Sequence, residues 1–318
     1  MARLEIRPFS DEFLAAAGEL LAARHRVHRA AEPLLPPRFE EPGAAAAEVK
    51  ALAAADGASG AAALRDGRAV GYLLGAHRPQ PVWGPNVWVE PAGHAVEEAE
   101  TLRDLYAFAA SRWFEEGFVR HYAIAPASDA ALLDAWSRVG FGQQQAHGVR
   151  EVPAAAWPDG VRLAVEGDAD ALVRLTPLLP DHQAQSPVFG LGVPRESPEE
   201  LRPEILEDLA NPEVGDIVVE RDGAIVGVFQ VVSAQLSSAH SGLARPEGAA
   251  LIGWAATDPE VRGSGAGVVL TEGAFAWARE RGHDVIVADW RVTNLLASRF
   301  WPARGFRTTF LRLYRHIP

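Results

Sequence analysis

The chain has 318 residues, 48% hydrophobic and 23% charged, with a formal net charge of −12 and no cysteine. That length suffices for two domains of ordinary size, each with its own core. The missing cysteines exclude disulfides, thiolate metal sites and cysteine nucleophiles, and the excess of acid argues against a nucleic-acid partner, whose phosphates call for a basic surface.

Residues 4–7 alternate charged and apolar side chains as a short strand, without the apolar centre of a secretory signal, and a helical pattern follows over 13–23. No apolar run is long enough to span a bilayer, so the expectation is a cytoplasmic protein that makes no membrane contact. The run Arg24-His25-Arg26-Val27-His28-Arg29 closes the helical pattern, where cations face the negative end of the dipole. Residues 41–60, rich in alanine and punctuated by Pro42, Gly43 and Gly57, read as a helix with loops. Arg65-Asp66-Gly67-x-x-Val70-Gly71 reads as a tight hairpin, and Trp83 and Trp88 flank a loop as core or interface residues. His25, His28 and His182 lack the spacing of metal ligands, and no metal is expected.

The hairpin motif recurs as Arg221-Asp222-Gly223-x-x-Val226-Gly227, and Trp136-Ser137-Arg138-Val139-Gly140-Phe141 recurs as Trp301-Pro302-Ala303-Arg304-Gly305-Phe306. Strand-then-helix patterns open both halves, the second at 161–165 and 169–178. The chain therefore reads as two copies of one domain, 1–154 and 155–318, joined by a linker with proline and glycine at its ends, 153–160.

The second copy carries Val261-Arg262-Gly263-Ser264-Gly265-Ala266-Gly267 between an apolar run, 249–257, and a helical pattern. Glycines at alternate positions bring backbone N–H groups close to a ligand, and the mouth of the helix is partly positive, so the segment suits a diphosphate. A dinucleotide fingerprint fails because Val268 stands where its last glycine belongs, and a Walker loop fails because no lysine follows Gly267. The first copy offers Glu97, Glu98 and Glu100 in the corresponding stretch, and Asp129 in place of Asn294. Carboxylates there oppose a diphosphate, so the first copy is expected to have lost cofactor binding.

The glycine run after Asp258-Pro259, followed by Asn294-x-x-Ala297-x-x-Phe300-Trp301-x-x-x-Gly305-Phe306, resembles the GNAT N-acetyltransferase superfamily, with Trp301 where the family usually has tyrosine. The resemblance implies an α/β fold in two tandem GNAT-like domains, each a twisted, mostly antiparallel sheet with splayed central strands flanked by helices. It implies acetyl-CoA as cofactor. By that likeness the backbone of Ala255, Ala256 and Thr257 pairs with the pantetheine arm, while residues Val261, Arg262, Gly263, Ser264, Gly265, Ala266 and Gly267 hold the diphosphate. Asn294 reaches the arm, Ala297 and Phe300 pack beside it, and Trp301 lies next to them.

Transfer to an amine needs a base for the nucleophile and a proton for the departing thiolate. The strand 251–256 has no carboxylate where many relatives have glutamate, which leaves Asp289 first among Glu247, Asp258 and Asp289 as base. An indole has no acidic proton to give, so Trp301 reads as packing and the acid falls to water or to Tyr314. His240, in the serine- and glycine-rich loop 233–248, reads as an exposed loop histidine. The expected function is acetyl-CoA-dependent N-acetylation of a primary amine of a small molecule or peptide. The alternative is a catalytically silent acyl-CoA-binding or regulatory protein. The acceptor would be chosen by loops 181–198 and 233–248, and the oligomeric state is open.

Overall fold

The computed structural model describes residues 3–190, 196–237 and 240–318. The first half runs β1 (Leu4–Pro8), α1 (Leu14–Ala31), α2 (Pro42–Ala53), β2 (Ser59–Arg65), β3 (Arg68–Gly75), β4 (Asn86–Val89), β5 (His94–Val96), α3 (Thr101–Glu115), β6 (Arg120–Pro126), α4 (Ala130–Arg138) and β7 (Gly142–Glu151). The second runs β8 (Val161–Leu163), α5 (Ala169–Leu175), α6 (Leu178–Gln183), α7 (Pro198–Ala210), β9 (Val214–Arg221), β10 (Ala224–Ser233), β11 (Ala250–Thr257), α8 (Ala266–Glu280), β12 (Val285–Arg291), α9 (Ala297–Ala303) and β13 (Arg307–His316). This is a mixed α/β fold in which a similar order of elements recurs, the second half with one helix more before its hairpin and one strand fewer after it. By contacts it forms two compact units, residues 1–147 with 242–245 and 308–318, and residues 148–241 with 246–307.

In the first unit β1, β2, β3 and β5 form an antiparallel sheet in that order. β4 lies parallel to β6, whose other edge takes β13 antiparallel, with Tyr314 opposite Tyr122. The last strand of the chain thus completes the first unit. The core collects Leu21 and Ala22 of α1, Val49 of α2, Tyr72 and Leu74 of β3, Trp88, Tyr122 and Phe310, together with Leu243 and Ala244 from the loop 242–245. Trp88 stacks on Tyr122 at 4.2 Å and meets Trp83 at 5.0 Å, which settles both tryptophans as packing residues. Five histidines among the described residues of this unit are buried: His25, His28, His94, His121 and His147.

In the second unit β12, β11, β10, β9 and β8 are neighbours in that order. β8 to β11 are antiparallel, while β11 and β12 run parallel. One face of the sheet is covered by α5, α6 and α7, where Leu172, Leu175, Val218, Val228 and Trp254 meet. The other takes α8, which approaches closely enough that a Cβ at Gly273 would stand 2.7 Å from Val161 and 3.0 Å from Ile217. Asp216 sits buried on the α7 face, where Gln230 Nε2 donates to it at 3.2 Å and to Asp208 at 3.0 Å. Burial pushes the Asp216 carboxyl up to about 6.

Candidate active site: a splayed strand pair and a helix mouth

The parallel pairing of β11 with β12 covers Ala250 opposite Ile286, Leu251 opposite Val287 and Ile252 opposite Ala288, and then stops. Beyond it, Ala255, Ala256 and Thr257 remain bonded to β10 through Phe229, Val228 and Gly227, so their pairing edge towards β12 is left open among the described residues. An irregularity in the β10 pairing sets the opening. Gln230 faces Trp254 while Val231 faces Ile252, which makes Gly253 the extra residue of a bulge. Gly253 is exposed and has open space where a side chain would stand. The bulge and the end of parallel pairing coincide, and this is how a continuous apolar strand acquires an unpaired edge at its carboxyl end.

The chain leaves β11 through Asp258 and Pro259 and enters α8 by way of the glycine loop. Asp258 N–H is anchored to the carbonyl of Val226 at 2.8 Å, and Asp258 caps the turn by accepting from Glu260 N–H at 3.1 Å. Gly263 and Gly265 have φ of +80° and +88°, a region that costs other residues about 1–2 kcal/mol. Val268 and Val269 both donate to the Gly265 carbonyl. Among the described residues no hydrogen bond engages the amides of Gly263, Gly265, Ala266 or Gly267. These are the orphan donors expected at a helix start, and here they cluster on a loop without side chains. Gly267 is needed for a different reason: a Cβ there would press on the Phe300 ring at 3.2 Å. Arg262 is exposed beside the loop, as are Gly263 and Ser264, and Val261 ends the preceding turn.

The second motif builds α9. Asn294 is buried, and its Oδ1 accepts from Leu296 N–H and Ala297 N–H, both at 3.1 Å, with His182 Nε2 3.3 Å away. Asp129 does the same work for α4 by accepting from Leu132 N–H at 2.9 Å, so the repeated position is a helix cap in both copies. Trp301 is buried against Phe229, Phe300 and Phe306, with ring centroids 5.7, 5.0 and 5.2 Å away. Trp136 packs likewise on Phe141 at 4.7 Å and Tyr106 at 5.8 Å. The indole at this place is a packing residue twice over.

Asp289 follows Ala288 directly, so it stands on β12 at the first position past the last parallel pair. Its Oδ1 lies 2.9 Å from Nε2 of His240, and the Asp289 side chain is 22% exposed while that of His240 is 1% exposed. His240 therefore corrects the expectation of an exposed loop residue. Its burial comes from tertiary packing, which composition of a serine- and glycine-rich loop does not encode. Tyr314 lies on β13 in the first unit, its ring 4.9 Å from Tyr122. Of the two loops expected to choose the acceptor, residues 191–195 and 238–239 lie outside the described residues.

At the corresponding mouth of the first unit, Glu97 pairs with Arg68 and Glu98 with Arg65, while Glu100 pairs with Arg103 and Arg138. These arginines hold the Glu97 and Glu98 carboxyls below their ordinary range. The first turn there closes on itself, since Thr101, Leu102 and Arg103 donate to Glu98, Ala99 and Glu100.

Residues 181–306 match the model of the acetyltransferase (GNAT) family. A GCN5-related N-acetyltransferase from Sphaerobacter thermophilus superposes with a TM-score of 0.58 over 98% of this chain and 95% of its own, at 18% identity. The GCN5-related glucosamine N-acetyltransferase region of a fungal multi-domain GH3 β-N-acetylglucosaminidase does so at 0.52 over 99% of this chain and 38% of its own, at 13% identity. A tandem GNAT protein from the clavulanic acid biosynthesis pathway covers 99% of this chain at 16% identity and a TM-score of 0.49. The likeness over nearly the whole length shows that the chain shares its fold with the Sphaerobacter thermophilus protein. No curated protein sequence matches the chain. Among the described residues no helix is long and apolar enough to cross a membrane.

Proposed function

We propose that the second unit binds acetyl-CoA and transfers its acetyl group to a primary amine of a small molecule or peptide, directly within a ternary complex. The observation that carries this reading is the set of amides at Gly263, Gly265, Ala266 and Gly267, uncommitted among the described residues, at the mouth of α8, which the chain enters directly from the open edge of β11. A diphosphate satisfies those amides and the helix dipole together. The pantetheine arm, which carries amide groups, adds to the edge at Ala255, Ala256 and Thr257 as a strand would. Ala297 and Phe300 flank it from α9, beside Trp301, and Asn294 holds the start of that helix in place.

Acetyl-CoA supplies an activated acyl group, so that a bond from the amine nitrogen to the carbonyl carbon forms as the carbon–sulfur bond breaks. Asp289, at the mouth of the splay, takes the proton from the amine, and His240 holds its carboxylate in place. A backbone N–H at the Gly253 bulge, left out of the β10 register, would polarise the carbonyl oxygen. The thiolate takes its proton from water, because Trp301 has none to give. Enzyme-dependent release of free thiol from acetyl-CoA, measured with a panel of amines and peptides, tests the proposal. Tight CoA binding without modification of any acceptor would favour a silent acyl-CoA-binding or regulatory protein, the reading that Trp301 and the missing strand carboxylate motivate.

A further inference from the structure

The repeated Arg-Asp-Gly hairpin supplies more than a turn. In both units it is built alike: Asp66 and Gly67 have φ of +51° and +78°, Asp222 and Gly223 of +51° and +77°. In both it is followed by the same bulge. Leu64 faces Ala69 and Ala63 faces Gly71, which leaves Val70 extra, while Glu220 faces Ile225 and Val219 faces Gly227, which leaves Val226 extra. In both, the carbonyl of the extra valine anchors the segment entering the next helix, from Glu97 N–H at 2.9 Å and from Asp258 N–H at 2.8 Å.

With the frame so fixed, Arg65 and Arg221 are equivalent, and the units differ in the segment between the anchor and the helix. α3 begins four residues after Glu97, at Thr101, whereas α8 begins eight after Asp258, at Ala266; the longer path is the glycine loop. In the first unit Arg65 grips the Glu98 carboxylate with two parallel hydrogen bonds, Nη1 to Oε1 at 2.8 Å and Nη2 to Oε2 at 3.1 Å. In the second unit proline succeeds the anchor, and Arg221 instead reaches the glycine loop, where Nη2 donates to the Ser264 carbonyl at 3.0 Å. A guanidinium has five N–H donors in a planar fork that fits a carboxylate or a phosphate equally well.

We infer that Arg221 is a ligand of a coenzyme A phosphate, which takes in the second unit the place that the Glu98 carboxylate takes in the first. The inference rests on the proposed cofactor site and adds to it a cation from the β9–β10 hairpin, outside the glycine motif. The first unit, correspondingly, carries its own anion in the form of Glu98.

The test is calorimetric titration of the full chain, its Arg221→Ala variant and its Arg221→Gln variant with CoA and with 3′-dephospho-CoA, at low and high salt. Losing a charge-assisted fork weakens CoA by about tenfold or more in both variants, and flattens the salt dependence of binding. An equal loss for both ligands assigns the contact to the diphosphate, and a loss confined to CoA assigns it to the 3′-phosphate; either supports the inference. Affinities within twofold of the parent overturn it. So does a loss in Arg221→Ala that Arg221→Gln restores, because glutamine keeps a donor for Ser264 and discards only the charge. Failure of the parent chain to bind CoA would remove the cofactor site itself, an outcome distinct from both.

Discussion

Asp289 and Trp301 divide the proposed labour between chemistry and packing. Asp289→Asn keeps the shape of the contact with His240 but removes the proton acceptor, so turnover should fall by about a hundredfold while CoA affinity stays within twofold. Equal losses in both would mark Asp289 as structural. Trp301→Phe keeps an aromatic ring against Phe229, Phe300 and Phe306, and turnover per folded molecule should survive it. A collapse of turnover with an unchanged melting temperature would give the indole a chemical role instead. The glycines, the asparagine and the Phe-Trp pair of this site are all legible in the sequence, because each serves a local need: a left-handed backbone, a helix cap, a close ring. His240 and Arg221 are not legible in the same way. The burial of His240 depends on what packs over it, and the Arg221 motif announces a turn without telling which loop the arginine reaches.

Among the elements, the pair β11 and β12 decides whether there is room for a cofactor. The gap opens at Gly253, where the bulge and the last parallel pair meet, and among the described residues nothing lies in the space a side chain would take there. Gly253→Val should therefore obstruct the opening and cost about a hundredfold in kcat/KM through misplacement of the reacting groups. Activity unchanged by that substitution would place the acyl group elsewhere. The sequence reveals the strands by their apolar runs and the loop by its glycines. It does not reveal the bulge, since Gly253 lies inside an otherwise ordinary strand pattern and its pairing depends on β10. The same holds for β13: its alternation identifies a strand, but its partner β6 lies nearly two hundred residues earlier, and only the assembled sheet shows the last strand completing the first unit.

For the molecule as a whole, the four histidines that burial holds well below their ordinary range, His25, His28, His94 and His121, set the response to acid. Burial lowers His25 and His121 to about 4 and His28 and His94 to about 3, each from an ordinary value near 6.5. Hydrogen bonds fit the neutral rings: Nε2 of His25, His94 and His121 lies 2.8, 3.1 and 3.1 Å from the carbonyls of Pro36, Ile124 and Phe118. Because the unfolded chain takes up these protons first, their contribution is whole above pH 6.5 and is lost as the pH falls from there towards 3–4. Each histidine costs about 1–2 kcal/mol on going from pH 7 to pH 5. Asp216 acts in the opposite sense, since a carboxyl raised to about 6 is stabilised as the pH falls, but it is one group against four. The melting temperature should drop between pH 7 and pH 5, and a rise would contradict the burial of the histidines.

The two helix mouths differ in the charge and the free donors they offer an anion, and a calorimetric titration of the chain with CoA reads that difference out. One site per chain is predicted, with affinity lost in a Gly265→Glu variant, which places a carboxylate and a strained backbone in the loop of the second unit. Two sites, no heat at millimolar CoA, or an affinity indifferent to Gly265→Glu would contradict it.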